Sequence, residues 1–285
     1  SSLPLRPQRG TVTAWLALWV FLASAGLQFT SVEFTNDHFD RISRARQIAE
    51  YGELPFRDFL DPGYFATLYS SALLQRVLGH NLLGEAALDI AFISAGFALV
   101  FVLASEISGS LIAGGAVTAL AVVAAPRLYD YDKALFYPLG VFLCWKVIDR
   151  PTLKNIILAG AGTALALLFR YDNGVYIGCA AIVAFAAMYW RNPLQLARTT
   201  VTFVVAVLAL LTPALIFVAW NGGLRNAADQ IVDYAIREGR RTSLFEPPGF
   251  VIDQNAPLFV LGEAEPVGPL VKVRWARPVR EPARL

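Results

Sequence analysis

One stretch of this 285-residue chain concentrates the side chains that can do chemistry. It runs from Glu33 to Tyr69 and reads EFTNDHFDRISRARQIAEYGELPFRDFLDPGYFATLY. Between Glu33 and Asp61 it holds seven acids (Glu33, Asp37, Asp40, Glu50, Glu53, Asp58, Asp61) and four arginines (Arg41, Arg44, Arg46, Arg57), a net of −3. A carboxylate placed beside a hydroxyl can act as its general base. The plainer use is a helix cap with surface ion pairs. Asp37 and Asp40 are three apart, on one face of a helix, and Arg41 and Arg44 each follow one of them by four residues. Two shorter groups stand where apolar runs end: Pro126-Arg127-Leu128-Tyr129-Asp130-Tyr131-Asp132-Lys133 and Phe169-Arg170-Tyr171-Asp172-Asn173-Gly174. Asp89 lies inside an apolar run, where an ionisable residue points to function.

The elements that must position these groups are helical. Phe39, Ile42, Ala45 and Ala49 form one apolar stripe, so a helix is expected from about Asp37 to Tyr51. Thr35, Asn36 and Asp37 supply capping chemistry at its start, and Gly52 supplies the stop. Elsewhere the chain is apolar in long blocks. A bilayer core needs roughly 17–25 such residues per helix. Seven segments approach that: Thr11–Phe29, Glu85–Ala104, Ser110–Ala125, Leu135–Ile148, Asn155–Phe169, Gly174–Trp190 and Thr199–Trp220. The run Tyr64–Leu78 contains Gln75 and Arg76 and reads as an interfacial helix, with an eighth span as the alternative. Span one also has the look of a signal peptide, ending in Ala23-Ser24-Ala25.

With seven spans, Arg6 and Arg9, then Lys146, Arg150 and Lys154, then Arg191 and Arg198 fall on one side. The bias of basic residues makes that side cytoplasmic. The acidic loop 31–84 then faces outward, as do the groups at 126–133 and 170–173 and everything after Asn221.

Composition agrees and excludes much else. Apolar residues make up 56%, charged residues 16%, and mean hydropathy is +0.52. A soluble domain carries about 25% charge. A net charge of +2 (24 basic, 22 acidic) gives no case for nucleic acid. Two cysteines in apolar runs make no disulfide framework, and two histidines make no zinc pattern. The fold class expected is an all-α, polytopic transmembrane bundle spanning residues 1–220. Residues 221–285 read as an extracytoplasmic segment that begins a truncated C-terminal region. They open with an amphipathic helix, about Leu224 to Glu238, in which Tyr234 and Arg237 are possible substrate contacts.

Asn36-Asp37, the amphipathic helix, Tyr51-Gly52-Glu53-Leu54-Pro55-Phe56-Arg57-Asp58-Phe59 and the Pro62-Gly63 turn resemble the first outer loop of the GT-C glycosyltransferases. That superfamily includes the protein O-mannosyltransferase, aminoarabinose transferase and arabinofuranosyltransferase groups, and the likeness covers residues 11 to 220. It implies an acidic catalytic residue soon after the first span. Many members carry Asp-Glu there; this chain carries Asp37-His38, with Asp40 the competing choice. The resemblance further implies a polyprenyl-phosphate sugar donor, a glycan, lipid or protein acceptor, and an active site on the extracytoplasmic side of a bacterial inner membrane. Arg170, Lys133 and Arg57 would bind the donor phosphate. Asp130, Asp132, Asp58 and Tyr171 would bind substrate or a divalent cation, Mg or Mn. Two other functions stay open: a transporter or lipid flippase, and a non-catalytic membrane subunit.

Overall fold

The computed structural model describes residues 7–30, 36–79, 81–124, 131–243, 261–267 and 270–275. Helix α1 is Pro7–Thr30 and α2 is Asn36–Arg46, which continues into a single π-helical stretch, Gln47–Tyr51. Then come α3 (Phe65–Leu78), α4 (Leu83–Ser108), α5 (Leu111–Val123), α6 (Tyr131–Asp149), α7 (Leu153–Phe169), α8 (Tyr171–Tyr189), α9 (Pro193–Asn221) and α10 (Leu224–Ser243). A helix thus occupies each of the seven apolar segments. Four of them, Gly10–Thr30, Leu83–Ser108, Tyr171–Tyr189 and Pro193–Asn221, are long and apolar enough to cross a membrane, while Leu111–Val123 and Leu153–Phe169 are apolar but shorter. This is consistent with an integral membrane protein. Helix α3, at 14 residues, falls short of a bilayer span.

Local chemistry sets the helix ends. Ser110, Thr152 and Asn192 cap α5, α7 and α9 by accepting from the amides of Ala113, Asn155 and Gln195. Pro193 follows its cap at the first helical position. Gly52 and Gly109 close their helices with φ of +68° and +65°. Two boundaries differ from expectation. Tyr131, Asp132 and Lys133 are the first turn of α6 rather than loop, and Tyr171–Asn173 are the first turn of α8, leaving only Arg170 extended between α7 and α8. Acids at these positions face the positive end of the helix dipole, which favours extending each helix outward by a turn.

Residues 1–237 form one compact unit. In it α4 packs on α1, α5 and α6, and α7 packs on α6, α8 and α9. Several apolar cores result, two of them large in the packing of these helices. One gathers Ile93, Phe97 and Tyr131; the other gathers Val147, Ile156, Ala159, Ala181, Phe185 and Phe203. Large apolar side chains such as Trp19, Ile112, Val123, Leu194 and Trp220 lie exposed, as faces against lipid do. Residues 238–285 form a second unit. Its described part holds the end of α10 and an antiparallel hairpin of β1 (Leu261–Val267) and β2 (Leu270–Trp275). Val271, Val273 and Trp275 alternate along β2, the strand pattern that a search for helix periods passes over.

One close helix contact explains itself chemically. Pro138 sits inside α6 and has no N–H, so the carbonyl four residues back, Ala134, loses its helical donor. That carbonyl lies against Gly96 of α4, where a Cβ would run into it. Gly96→Ala should therefore destabilise the protein by about 1–3 kcal/mol through overpacking. Gly115→Ala, in α5 with nothing within 4 Å of its would-be Cβ, should be neutral or slightly stabilising. Melting curves of the two variants in detergent test this pairing; equal shifts would show that the α4–α6 approach is not tight.

Candidate functional site

The face of α2 turned to the bundle is not the apolar stripe the sequence suggests. Phe39 is 53% exposed and Asp40 also faces outward, while His38, Arg41, Ala45 and Ile48 are buried. The spacing 38, 41, 45, 48 is one helical face. Its C-terminal half is apolar, with Ala45 and Ile48 packed against Leu68 and Ala72 of α3. Its N-terminal half carries an imidazole and a guanidinium into the protein.

Both meet carboxylates. His38 Nε2 lies 2.6 Å from Asp89 Oδ2, in the second turn of α4. Arg41 is 4% exposed, with its guanidinium 4.0 Å from Glu85 Oε1 in α4 and 3.8 Å from Asp132 Oδ1 in α6. It also lies over the rings of Tyr131 and Tyr64, 4.7 and 5.9 Å from their centroids. Burial works against the charge on Arg41, but Tyr131, Asp132 and Glu85 outweigh it and raise its pKa. The carboxylates are themselves held. Ser71 Oγ donates to Glu85 at 3.1 Å, Tyr131 hydroxyl to Glu85 at 3.3 Å, and Asn173 Nδ2 to Asp132 at 2.7 Å. Groups from α2, α3, α4, α6 and α8 thus converge where three helices begin. Within this cluster Arg41 Nη1, Asp89 Oδ1 and Asn173 Oδ1 are buried without a hydrogen-bond partner. Leaving such atoms unsatisfied costs about 1–3 kcal/mol each.

A strap of chain from Leu54 to Tyr64 lies beside it. Phe56 holds a left-handed backbone, φ +65°, unusual for a bulky residue. Its carbonyl accepts from Asn226 Nδ2 (2.5 Å) and Gln230 Nε2 (3.1 Å) of α10, and Gln230 Oε1 accepts from the Asp61 amide (3.2 Å). Asp61 is buried and its Oδ1 accepts from the amides of Gly63 and Tyr64 at 2.8 and 2.7 Å. Burial raises the Asp61 pKa, against the opposing pull of those two amides and of Arg44. Gly63 has φ +96°, and a Cβ there would lie 2.8 Å from Tyr171 Cδ1. Its carbonyl accepts from the Tyr171 amide at 3.2 Å. The strap ends on Tyr64, whose ring is also 5.4 Å from the Arg170 guanidinium. Burial raises the Tyr64 pKa well above the ordinary phenol value.

The residues singled out in the sequence divide accordingly. Asp132 is in the cluster. Arg170 and Tyr171 are half-buried at its rim, with Arg170 Nε 2.8 Å from Asp172 Oδ1. Lys133 is half-buried in the first turn of α6. Asp40 is paired at the surface with Arg44, 3.0 Å away. Arg41 lies beside Glu85 and Asp132. Arg57 and Asp58 pair with each other at 2.6 Å, and Asp58 also accepts from the Leu54 amide, so they serve the strap's turn. Asp130 and the side chain of Asp37 lie outside the described residues. Sequence reading passed over His38, Glu85 and Asn173 as site residues. The available signal was two acids four apart, Glu85 and Asp89, opening an apolar run. Among the described residues no three or more His, Cys, Asp or Glu side chains form a metal cage. Asp132 faces Arg41 and Asn173 instead, so a divalent cation does not fit there. No family model matches the chain, and neither does any curated protein or solved structure.

Asp61 gives the strap a pH dependence of defined sign. A carboxyl whose folded pKa is raised holds its proton to higher pH in the folded state than in the unfolded chain. Its stabilising contribution is complete below the unfolded value, about 3.9, and is lost as pH rises through the folded one. Asp61→Asn keeps an oxygen to accept from Gly63 and Tyr64 and removes the titration. Melting temperatures in detergent between pH 4 and 8 should show wild type falling relative to this variant as pH rises. Parallel curves would remove Asp61 as the source.

Proposed function

We propose that this chain is a seven-span glycosyltransferase of the GT-C kind, working on the outer face of a bacterial inner membrane. It would move a sugar from a polyprenyl-phosphate donor to the hydroxyl of a glycan, lipid or protein acceptor. The observation that carries this reading is the buried cluster of Arg41, Glu85, Asp89, Asp132 and Asn173. It is placed where the helices begin, under a loop helix that also carries Asp37. Asp89 and Asn173, with the tyrosine rings beside the cluster, are the kinds of group that the hydroxyls and apolar faces of a sugar call for.

In the reaction, the Asp37 carboxylate takes the proton of the acceptor hydroxyl as its oxygen attacks the anomeric carbon. The bond from that carbon to the phosphate oxygen breaks, and polyprenyl phosphate leaves with the electron pair. Attack from the opposite face inverts the centre. Arg170, half-buried beside Tyr64 and Tyr171, together with Lys133, would hold the charge gathering on the phosphate. A transporter or flippase calls for ionisable groups near the middle of its spans. Glu85, Asp89 and Asp132 lie within the first two turns of α4 and α6, which favours the transferase.

The discriminating assay presents a panel of farnesyl-phosphate-linked hexoses and pentoses to the purified protein and follows transfer or hydrolysis. Asp37→Asn should lower turnover by about 10²–10⁴-fold while binding of farnesyl phosphate persists. Asp40→Asn, at an exposed surface pair, should stay within a few-fold of wild type. Near-normal turnover of Asp37→Asn, or loss on the Asp40 change alone, would move the base elsewhere.

A further inference from the structure

We propose that Arg41 is the positioning residue of the transfer reaction, clamping α2 onto the bundle so that position 37 is fixed over the reacting centre. The inference rests on the transferase reading but stands on separate geometry. Helix α2 has 11 residues and lies in the outer loop, too short to hold itself rigid. Its apolar attachment, Ala45 and Ile48 on Leu68 and Ala72, is confined to its C-terminal end and to α3. Its N-terminal half, which carries Asp37, is tied to α4 and α6 by polar side chains: Arg41 to both, and His38 to Asp89 of α4.

Helix geometry then decides between the two candidate bases. At about 100° per residue, positions 38, 41 and 45 centre the docked face. Position 37 falls about 75° from that centre and position 40 about 135° from it. Position 40 is accordingly found at the surface, its side chain 52% exposed and bound to Arg44. A rotation of α2 by a fraction of a turn would carry position 37 away from the bundle, and Arg41 is the side chain that ties this rotation to two helices at once. Tyr64 and Tyr131 lie against the guanidinium, so a planar, charged group is called for. The role is positional. Arg41 is sealed inside the protein and its neighbours are protein carboxylates and rings.

The test reads the clamp and the reaction separately. A spin label at position 39, exposed on α2, reports helix mobility by electron paramagnetic resonance in a background where Cys144 and Cys179 are replaced by alanine. Arg41→Gln should mobilise the label and lower kcat by about 10²-fold, as a displacement of the order of 1 Å does, with KM little changed. Arg41→Lys should restore part of both. Since Arg41→Gln leaves buried acids unpaired and could misfold, the combination Arg41→Gln with Glu85→Gln and Asp132→Asn removes the imbalance. It should fold, keep the label mobile and stay slow. Arg46→Gln, on the exposed side of α2 beside Glu50, should change neither readout. An immobile label in folded Arg41→Gln overturns the clamp. A mobile label with normal kcat overturns the positioning role while leaving the clamp. If wild type neither turns over the farnesyl-phosphate sugars nor binds farnesyl phosphate, the transferase reading fails and the positioning role with it; the label alone then judges whether the clamp exists.

Discussion

The arrangement depends on how one buried guanidinium is kept charged. Arg41 is sealed from solvent and close to two carboxylates on two helices, and neither approach is short enough to be a hydrogen bond. Taking a charge out of water is costly, and attraction between buried charges only roughly offsets it. The remainder here comes from supports that are not charges: the ring of Tyr131 beneath the guanidinium, the hydroxyls of Ser71 and Tyr131 on Glu85, and the amide of Asn173 on Asp132. Each comes from a different part of the fold, and together they require α2, α3, α4, α6 and α8 to meet at one point. Such a cluster stabilises little compared with an apolar core, but it admits one arrangement only, since removing any partner strands a buried charge at about 3–5 kcal/mol. Its contribution is therefore to define how α2 sits on the bundle.

A second tier fixes the rim. The strap from Leu54 to Tyr64 makes little regular structure, and its backbone groups find partners elsewhere. The carbonyl of Phe56 and the amide of Asp61 are taken by Asn226 and Gln230 of α10, and the carbonyl of Gly63 by the amide of Tyr171. The left-handed Phe56 turns its carbonyl to α10 while its ring is buried with Val218 and Ala227. Strain of this kind costs about 1–3 kcal/mol and persists where surrounding contacts over-determine it. Here those contacts also place Tyr64 between Arg41 and Arg170.

The helices were largely legible in the sequence, because the long apolar blocks read directly, whereas the caps Ser110, Thr152, Asn192 and Gly109 were recognised only once the helix ends were placed. The site was legible only in part. Phe39, Ile42, Ala45 and Ala49 satisfy a helical period, yet the docked face is His38, Arg41, Ala45 and Ile48. A search for apolar periodicity assumes that a helix buries hydrocarbon, and this one buries charge. That choice depends on Glu85 and Asp132, which are 44 and 91 residues from Arg41 along the chain and recognisable as partners only once α4 and α6 are packed. The motif Pro55-Phe56-Arg57-Asp58-Phe59 reads as chemistry and folds as a turn, because Asp58 is adjacent to Arg57 and to the Leu54 amide before any substrate could be.

The two tiers explain why the ionisable groups gather at one end of the helices rather than along them. Mid-span, a carboxylate would need its partner on another helix at the same depth, with hydrocarbon on every other side. At the helix starts, Glu85, Asp132 and Asp172 lie in first turns, where unpaired backbone amides and the helix dipole favour negative charge. The outer loop can then supply cations from outside the bundle, as Arg41 does. The fold in this way separates two arginine environments with a single ring. On one side of Tyr64, Arg41 is sealed and committed to protein partners. On the other, Arg170 is half-buried, with Asp172 and the ring beside it. A guanidinium that must bind and release an anion needs the second environment, and one that must hold a helix in place needs the first.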